Sequence, residues 1–109
     1  MSKIKYEIIM PKSVEQLTTY FSNLLKNNSK HFIFRILPEY LTVEELWQVL
    51  IKNKENIERF RKNKSIIILS NTFDYKQVPD FIPLAPTEKE ALDIIELEEI
   101  ERELMSESE

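Results

Sequence analysis

Apolar residues recur along the chain with two different periods. Val14, Leu17, Tyr20, Phe21, Leu24 and Leu25 stand three and four positions apart, which predicts a helix from Val14 to Lys26 with one buried stripe. Val43, Leu46, Trp47, Leu50, Ile51, Ile57 and Phe60 form a second such stripe. It predicts a helix from Val43 to about Lys62, with Trp47 at a core position. A third helical pattern opens at Glu88 and runs to about Met105. Between these stretches the apolar residues are contiguous or alternate, as in strands: Ile4 to Met10, Phe32 to Leu37, Ser65 to Ser70 and Phe81 to Ala85. The Ile66-Ile67-Ile68-Leu69 run reads as a strand covered on both faces. Pro83 has no N–H to give a ladder, so the fourth strand belongs at an edge or a bend.

The helix starts carry a shared signal. Ser13-Val14-Glu15-Gln16, Thr42-Val43-Glu44-Glu45 and Thr87-Glu88-Lys89-Glu90 each place a hydroxyl three residues before a Glu or Gln, the spacing of a capping box. The chain contains no glycine. Helix ends therefore fall to residues such as Asn27, Asn28 and Asn63, since Asn tolerates the left-handed conformation of a C-cap. The order β-α-β-α-β-β-α predicts an α/β fold: a small, mixed, mostly parallel sheet of about four strands with three helices joined by right-handed crossovers. Residues 71–80 form the longest irregular loop. Residues 1–105 read as one domain, and residues 106–109 as a frayed acidic tail.

The third helix divides its apolar residues between two faces. Ala91, Leu92, Ile94 and Ile95 cluster on one side, and Glu98, Glu99 and Arg102 follow on that side, where a core does not want them. Leu97, Ile100 and Leu104 lie on another face. The helix is thus expected to change its buried face midway, its first half on the sheet and its second half beyond it. Leu97, Ile100 and Leu104, with Glu101 beside them, then either lie under a neighbouring element of the same domain or form a contact stripe for a partner helix or a second copy.

Composition narrows the chemistry. The 109 residues include no cysteine, no glycine and one histidine. Disulfides and thiolate nucleophiles are excluded, and Gly-rich phosphate loops are excluded in their usual forms. A zinc site needs two or three imidazoles or thiolates. His31 reads as a surface residue at a strand edge. No enzyme activity, metal, cofactor or small-molecule substrate is expected. The lack of an apolar leader and of any long apolar run suggests a cytoplasmic protein that does not enter a membrane.

The net charge of −4 is uneven: residues 87–109 carry ten acids and two bases. This is a mildly basic body with an acidic C-terminal arm, for which nucleic acid is not the expected ligand. The clearest alternative is an accessory factor for RNA processing, contacting RNA through Lys54, Arg59, Arg61 and Lys62 on the second helix. Glu55 and Glu58 interrupt that basic run.

The segment Pro86-Thr87-Glu88-Lys89-Glu90-Ala91-Leu92-Asp93-Ile94-Ile95-Glu96-Leu97-Glu98-Glu99-Ile100-Glu101-Arg102-Glu103-Leu104 resembles the ending of a bacterial group of small STAS-like proteins. These are related in fold to anti-sigma factor antagonists, and their members are often labelled ribonuclease Z. The resemblance implies a mixed sheet with helices mainly on one face, and a regulatory role through protein–protein interaction. It covers about 20 residues closely and the rest of the chain only in element order. Two features depart from the group's pattern: one strand, not a hairpin, precedes the first helix, and Pro38-Glu39-Tyr40-Leu41-Thr42 stands where a phosphorylated antagonist carries its switch serine. The zinc ribonuclease chemistry of the label requires a histidine-rich motif, which one histidine cannot build.

Overall fold

A computed structural model describes residues 4–26 and 29–107. The chain order is strand Tyr6–Ile9 (β1), helix Val14–Ser22 (α1), a 3₁₀ turn Leu24–Lys26, strand His31–Arg35 (β2), helix Val43–Lys52 (α2), helix Lys54–Phe60 (α3), strand Ile66–Leu69 (β3), a 3₁₀ turn Tyr75–Gln77, strand Leu84–Ala85 (β4) and helix Glu88–Glu107 (α4). The four strands form one sheet in the order β1-β2-β3-β4. Every pairing is parallel, with Ile33 opposite Ile67 and Phe34 opposite Ile68. The expected α/β class holds. Among the described residues the sheet is wholly parallel instead of mixed, and there are four α-helices instead of three.

Strand alternation divides the core in two. Phe32, Phe34, Ile66 and Ile68 face one way and meet Leu17 and Phe21 of α1, Leu46, Val49 and Leu50 of α2, and Ile57 and Phe60 of α3. Ile33, Ile67 and Leu69 face the other way and meet Ala91 and Ile95 of α4. Successive right-handed crossovers that move across a sheet in one direction leave their helices on one face, which is where α1 to α3 lie. Helix α4 takes the opposite face, so helices cover both sides. Within the larger core the rings of Phe21 and Phe34 lie 4.9 Å apart, and those of Phe32 and Phe60 5.7 Å, the spacing of offset aromatic pairs.

The caps form with variations. Thr42 and Glu45 make both bonds of a capping box. Ser13 Oγ accepts from the Gln16 N–H, but the Gln16 side chain returns to Lys12 N–H, one residue earlier than the box requires. Thr87 Oγ1 accepts from the Glu90 N–H. A further box, Asp74 with Gln77, closes the turn inside the 71–80 loop.

No described residue has positive φ, which corrects the expected left-handed caps. Asn27 and Asn28 lie outside the described residues. Helices α1 and α2 stop at Asn23 and Asn53, both at negative φ, where each side-chain amide donates to the carbonyl four residues back, Thr19 O and Val49 O; α3 stops at Arg61, before Asn63. Asn53 thereby divides the single helix expected over residues 43–62 into α2 and α3. Val49 O accepts both the backbone N–H and the side-chain amide of Asn53, and such local side-chain bonds favour a helix end over its continuation.

The buried stripes are narrower than expected. Tyr20, Leu25, Trp47 and Ile51 are partly exposed, and Val49 is buried in their place. One helix layer rests on the sheet along a single line, and positions well to either side of it reach solvent. Helix α4 also runs to Glu107, past the start of the tail expected at residue 106.

Thr42→Ala should lower stability by about 1 kcal/mol, the usual cost of an N-cap hydroxyl. Urea denaturation checks this, and an unchanged midpoint would show that the cap does not hold α2.

Candidate functional site

Helix α4 sits on the sheet along a single unbroken face. Ala91 and Ile95 bury against β2, β3 and β4. Glu98 and Arg102 follow at intervals of three and four residues, so they continue the same line one and two turns later. There the helix passes over the N-terminal ends of β2 and β3, where His31 and Ser65 lie buried.

The four groups interlock with Arg61 and Glu99. The Ser65 hydroxyl donates to Glu98 Oε1 at 2.6 Å, and Arg102 Nη2 donates to Ser65 Oγ at 2.9 Å. Arg61 Nη2 donates to Glu98 Oε2 at 2.7 Å, while its Nη1 donates to Phe81 O at 2.7 Å. Two guanidinium nitrogens, Arg61 Nε and Arg102 Nη1, are buried with no partner among the described residues. The two arginines balance Glu98 and Glu99 in charge. Burial pulls the Arg102 guanidinium down from its ordinary value, with Glu98 and Glu99 opposing.

His31 is 2% exposed, which corrects its expected place on the surface. Its Nδ1 accepts from the Ser65 backbone N–H at 2.8 Å. The ring proton therefore sits on Nε2, which donates to Glu99 Oε2 at 2.9 Å; both nitrogens are engaged and the ring is neutral. Burial lowers its affinity for a proton below that of a free imidazole. Glu99 opposes this, and Lys64 and Arg102 add to it. A serine, a histidine and two carboxylates meet here without forming a catalytic triad. The Ser65 hydroxyl points at Glu98, the imidazole receives the serine's backbone N–H, and both residues are buried.

The opposite face of α4 carries the predicted contact stripe. At 100° per residue, Leu97, Ile100 and Leu104 lie roughly opposite the Ala91–Ile95–Glu98–Arg102 line. They are 58%, 50% and 61% exposed, so no other described part of the chain covers them. Asp93, Glu96, Glu101 and Glu103 around them are exposed as well. The expected midway change of buried face does not occur. The sheet side stays in contact through Arg102, and its polar residues are tolerated because each has partners.

The proposed RNA-contacting residues are dispersed. Arg61 is turned inward to Glu98 and Phe81. Arg59 pairs with Glu55 at 2.6 Å. Lys54 stands 5.7 Å from the centre of the Phe81 ring, and Lys62 is exposed. Trp47 and Ile51, read as core, flank instead an open groove of about 710 Å³ and a neighbouring concavity; Val14, Val43, Trp47 and Lys52 are among the residues lining the groove.

Sequence reasoning missed Ser65 and the pairing of Glu98, Glu99 and Arg102. The available signal was their place on the line begun by Ala91 and Ile95: charged residues continuing a buried stripe imply partners across it. Among the described residues no group of three or more His, Asp and Glu side chains is placed to hold a metal ion, and no helix is long and apolar enough to cross a membrane. What the fold and this surface define is a small parallel α/β protein with an unpartnered apolar helix face. No family model, curated protein or solved structure matches the chain.

Glu98→Ala should destabilise the protein by about 2–4 kcal/mol, because it strands the Arg61 and Arg102 charges and the Ser65 hydroxyl. Glu96→Ala, two residues away on the exposed face, should stay within about 0.5 kcal/mol. Chemical denaturation of the two variants checks the contrast, and equal effects would deny the seam its role. The pH dependence follows from His31. Its folded proton affinity is depressed, so the unfolded chain binds more protons below about pH 6.5. Stability should therefore fall as pH drops below that value, and His31→Gln should flatten the fall in melting curves taken between pH 7.5 and 5.5.

Proposed function

We propose that this chain is a non-catalytic, cytoplasmic protein-interaction module of regulatory character, docking through the outward face of α4. The observation that carries this reading is the exposure of Leu97, Ile100 and Leu104 in one row, on a helix whose other face is locked to the sheet. Solvent-exposed apolar side chains in a helical row match the anchor spacing of helix-in-groove recognition. A rigid, pre-oriented helix presents them at little ordering cost on binding. The neutral, doubly bonded His31 and the sealed Ser65 support the non-catalytic part. The resemblance of residues 86–104 to STAS-like proteins points the same way.

Leu97→Asp with Leu104→Asp should leave the circular dichroism spectrum and thermal midpoint near those of the wild type, since both positions are exposed. The pair should abolish self- or hetero-association through this face, read by crosslinking and mass spectrometry of peptides spanning residues 97–104. Collapse of the fold would place the stripe in the core and end the reading.

A further inference from the structure

Resting on that reading, we infer that the partner of the α4 face is a cationic amphipathic helix of another protein, not a second α4 and not a polyanion. Three observations decide the sign of the partner's charge. First, the side chains bordering the stripe are all acids: Glu101 on one side, Glu96 and Glu103 on the other, with Asp93 in line at its start, each exposed. Second, the one base between residues 90 and 107, Arg102, is turned beneath the helix toward Ser65, Glu98 and the Arg61 carbonyl. Around Leu97, Ile100 and Leu104 the outward face thus lacks the countercharge that the linear sequence offers, and the exposed Lys89 stands a turn before Asp93. Third, the last turn of α4 carries no basic residue, so the acids add to the negative end of the helix dipole.

Two α4 faces brought together would set these acids against each other as the stripe was dehydrated, and like-charge juxtaposition suppresses such a pairing. Nucleic acid and anionic lipid meet the same repulsion. A helix with apolar residues at i, i+3 or i+4, and i+7, bordered by Lys and Arg, covers the stripe and neutralises its margins together.

The test uses the full chain and two labelled, helix-forming probe peptides that share one leucine stripe. One is bordered by lysines and the other by glutamates. Fluorescence anisotropy should show binding of the lysine peptide, weakening as salt rises, and little binding of the glutamate peptide. Leu97→Ser with Leu104→Ser retains every charge on α4 and should abolish that binding. The triple change Glu96→Lys, Glu101→Lys and Glu103→Lys should weaken the lysine peptide by about tenfold or more and admit the glutamate peptide.

Equal binding of both peptides, or lysine-peptide binding that survives the serine substitutions, overturns the inference. Sedimentation showing a dimer that the serine substitutions dissolve also overturns it, while leaving the interaction-module reading in place. Neither peptide binding, with a strict monomer, removes both.

Discussion

The rotation of α4 about its own axis is set by a polar seam at the foot of the sheet, and the character of the exposed surface follows from it. Ala91 and Ile95 hold the first half of the helix mainly by burial, with one bond from the Tyr6 hydroxyl to Glu88 at its exposed start, and such contact tolerates some rolling. Glu98 does not. Its two carboxylate oxygens are committed to Ser65 and Arg61, and a rolled helix would separate that charge from the Arg61 guanidinium and from the buried hydroxyl, leaving Arg61 only the Phe81 carbonyl. Net hydrogen-bond contributions are modest, whereas stranded buried charges are costly. The seam therefore acts more through the arrangements it forbids than through the stability it adds. It keeps Leu97, Ile100 and Leu104 facing solvent.

The same commitments keep the seam from the proton path of a catalytic triad. Catalysis by a serine, a histidine and a carboxylate needs the imidazole to receive the hydroxyl proton. Here the imidazole acceptor is occupied by a backbone N–H and the hydroxyl is directed to a carboxylate. The residues are arranged to hold two strands and a helix together. His31 adds a sensitivity to acid: a proton on Nδ1 would face the Ser65 N–H donor and unbalance a cluster whose two arginines and two glutamates already match.

On the other side of the sheet the constraint is geometric. A four-stranded parallel sheet with short strands accepts one layer of helices, so α2 buries Leu46, Val49 and Leu50 and leaves Trp47 and Ile51 half in solvent. Asn53 breaks the helix and lets α3 bring Ile57 and Phe60 down onto the same core. These outcomes come from the width of the sheet and from one side-chain amide, and neither registers in the apolar period that marks the helix.

What the sequence alone determined is what depends on neighbours along the chain. The four strands, the Ser13, Thr42 and Thr87 caps, the edge or bend at Pro83 and the row of Leu97, Ile100 and Leu104 were legible because alternation, hydroxyl spacing and helical period are local properties; that the row faces solvent was not. The tertiary structure decided which residues meet across the fold. Helical period sets Glu98 on the Ala91–Ile95 line and Glu96 off it, but nothing local shows what Glu98 meets across that line, or marks His31 as buried. Their environments arise from contacts between positions 31, 61, 65, 98, 99 and 102, and a buried charge is recognisable only once its distant partner is in place.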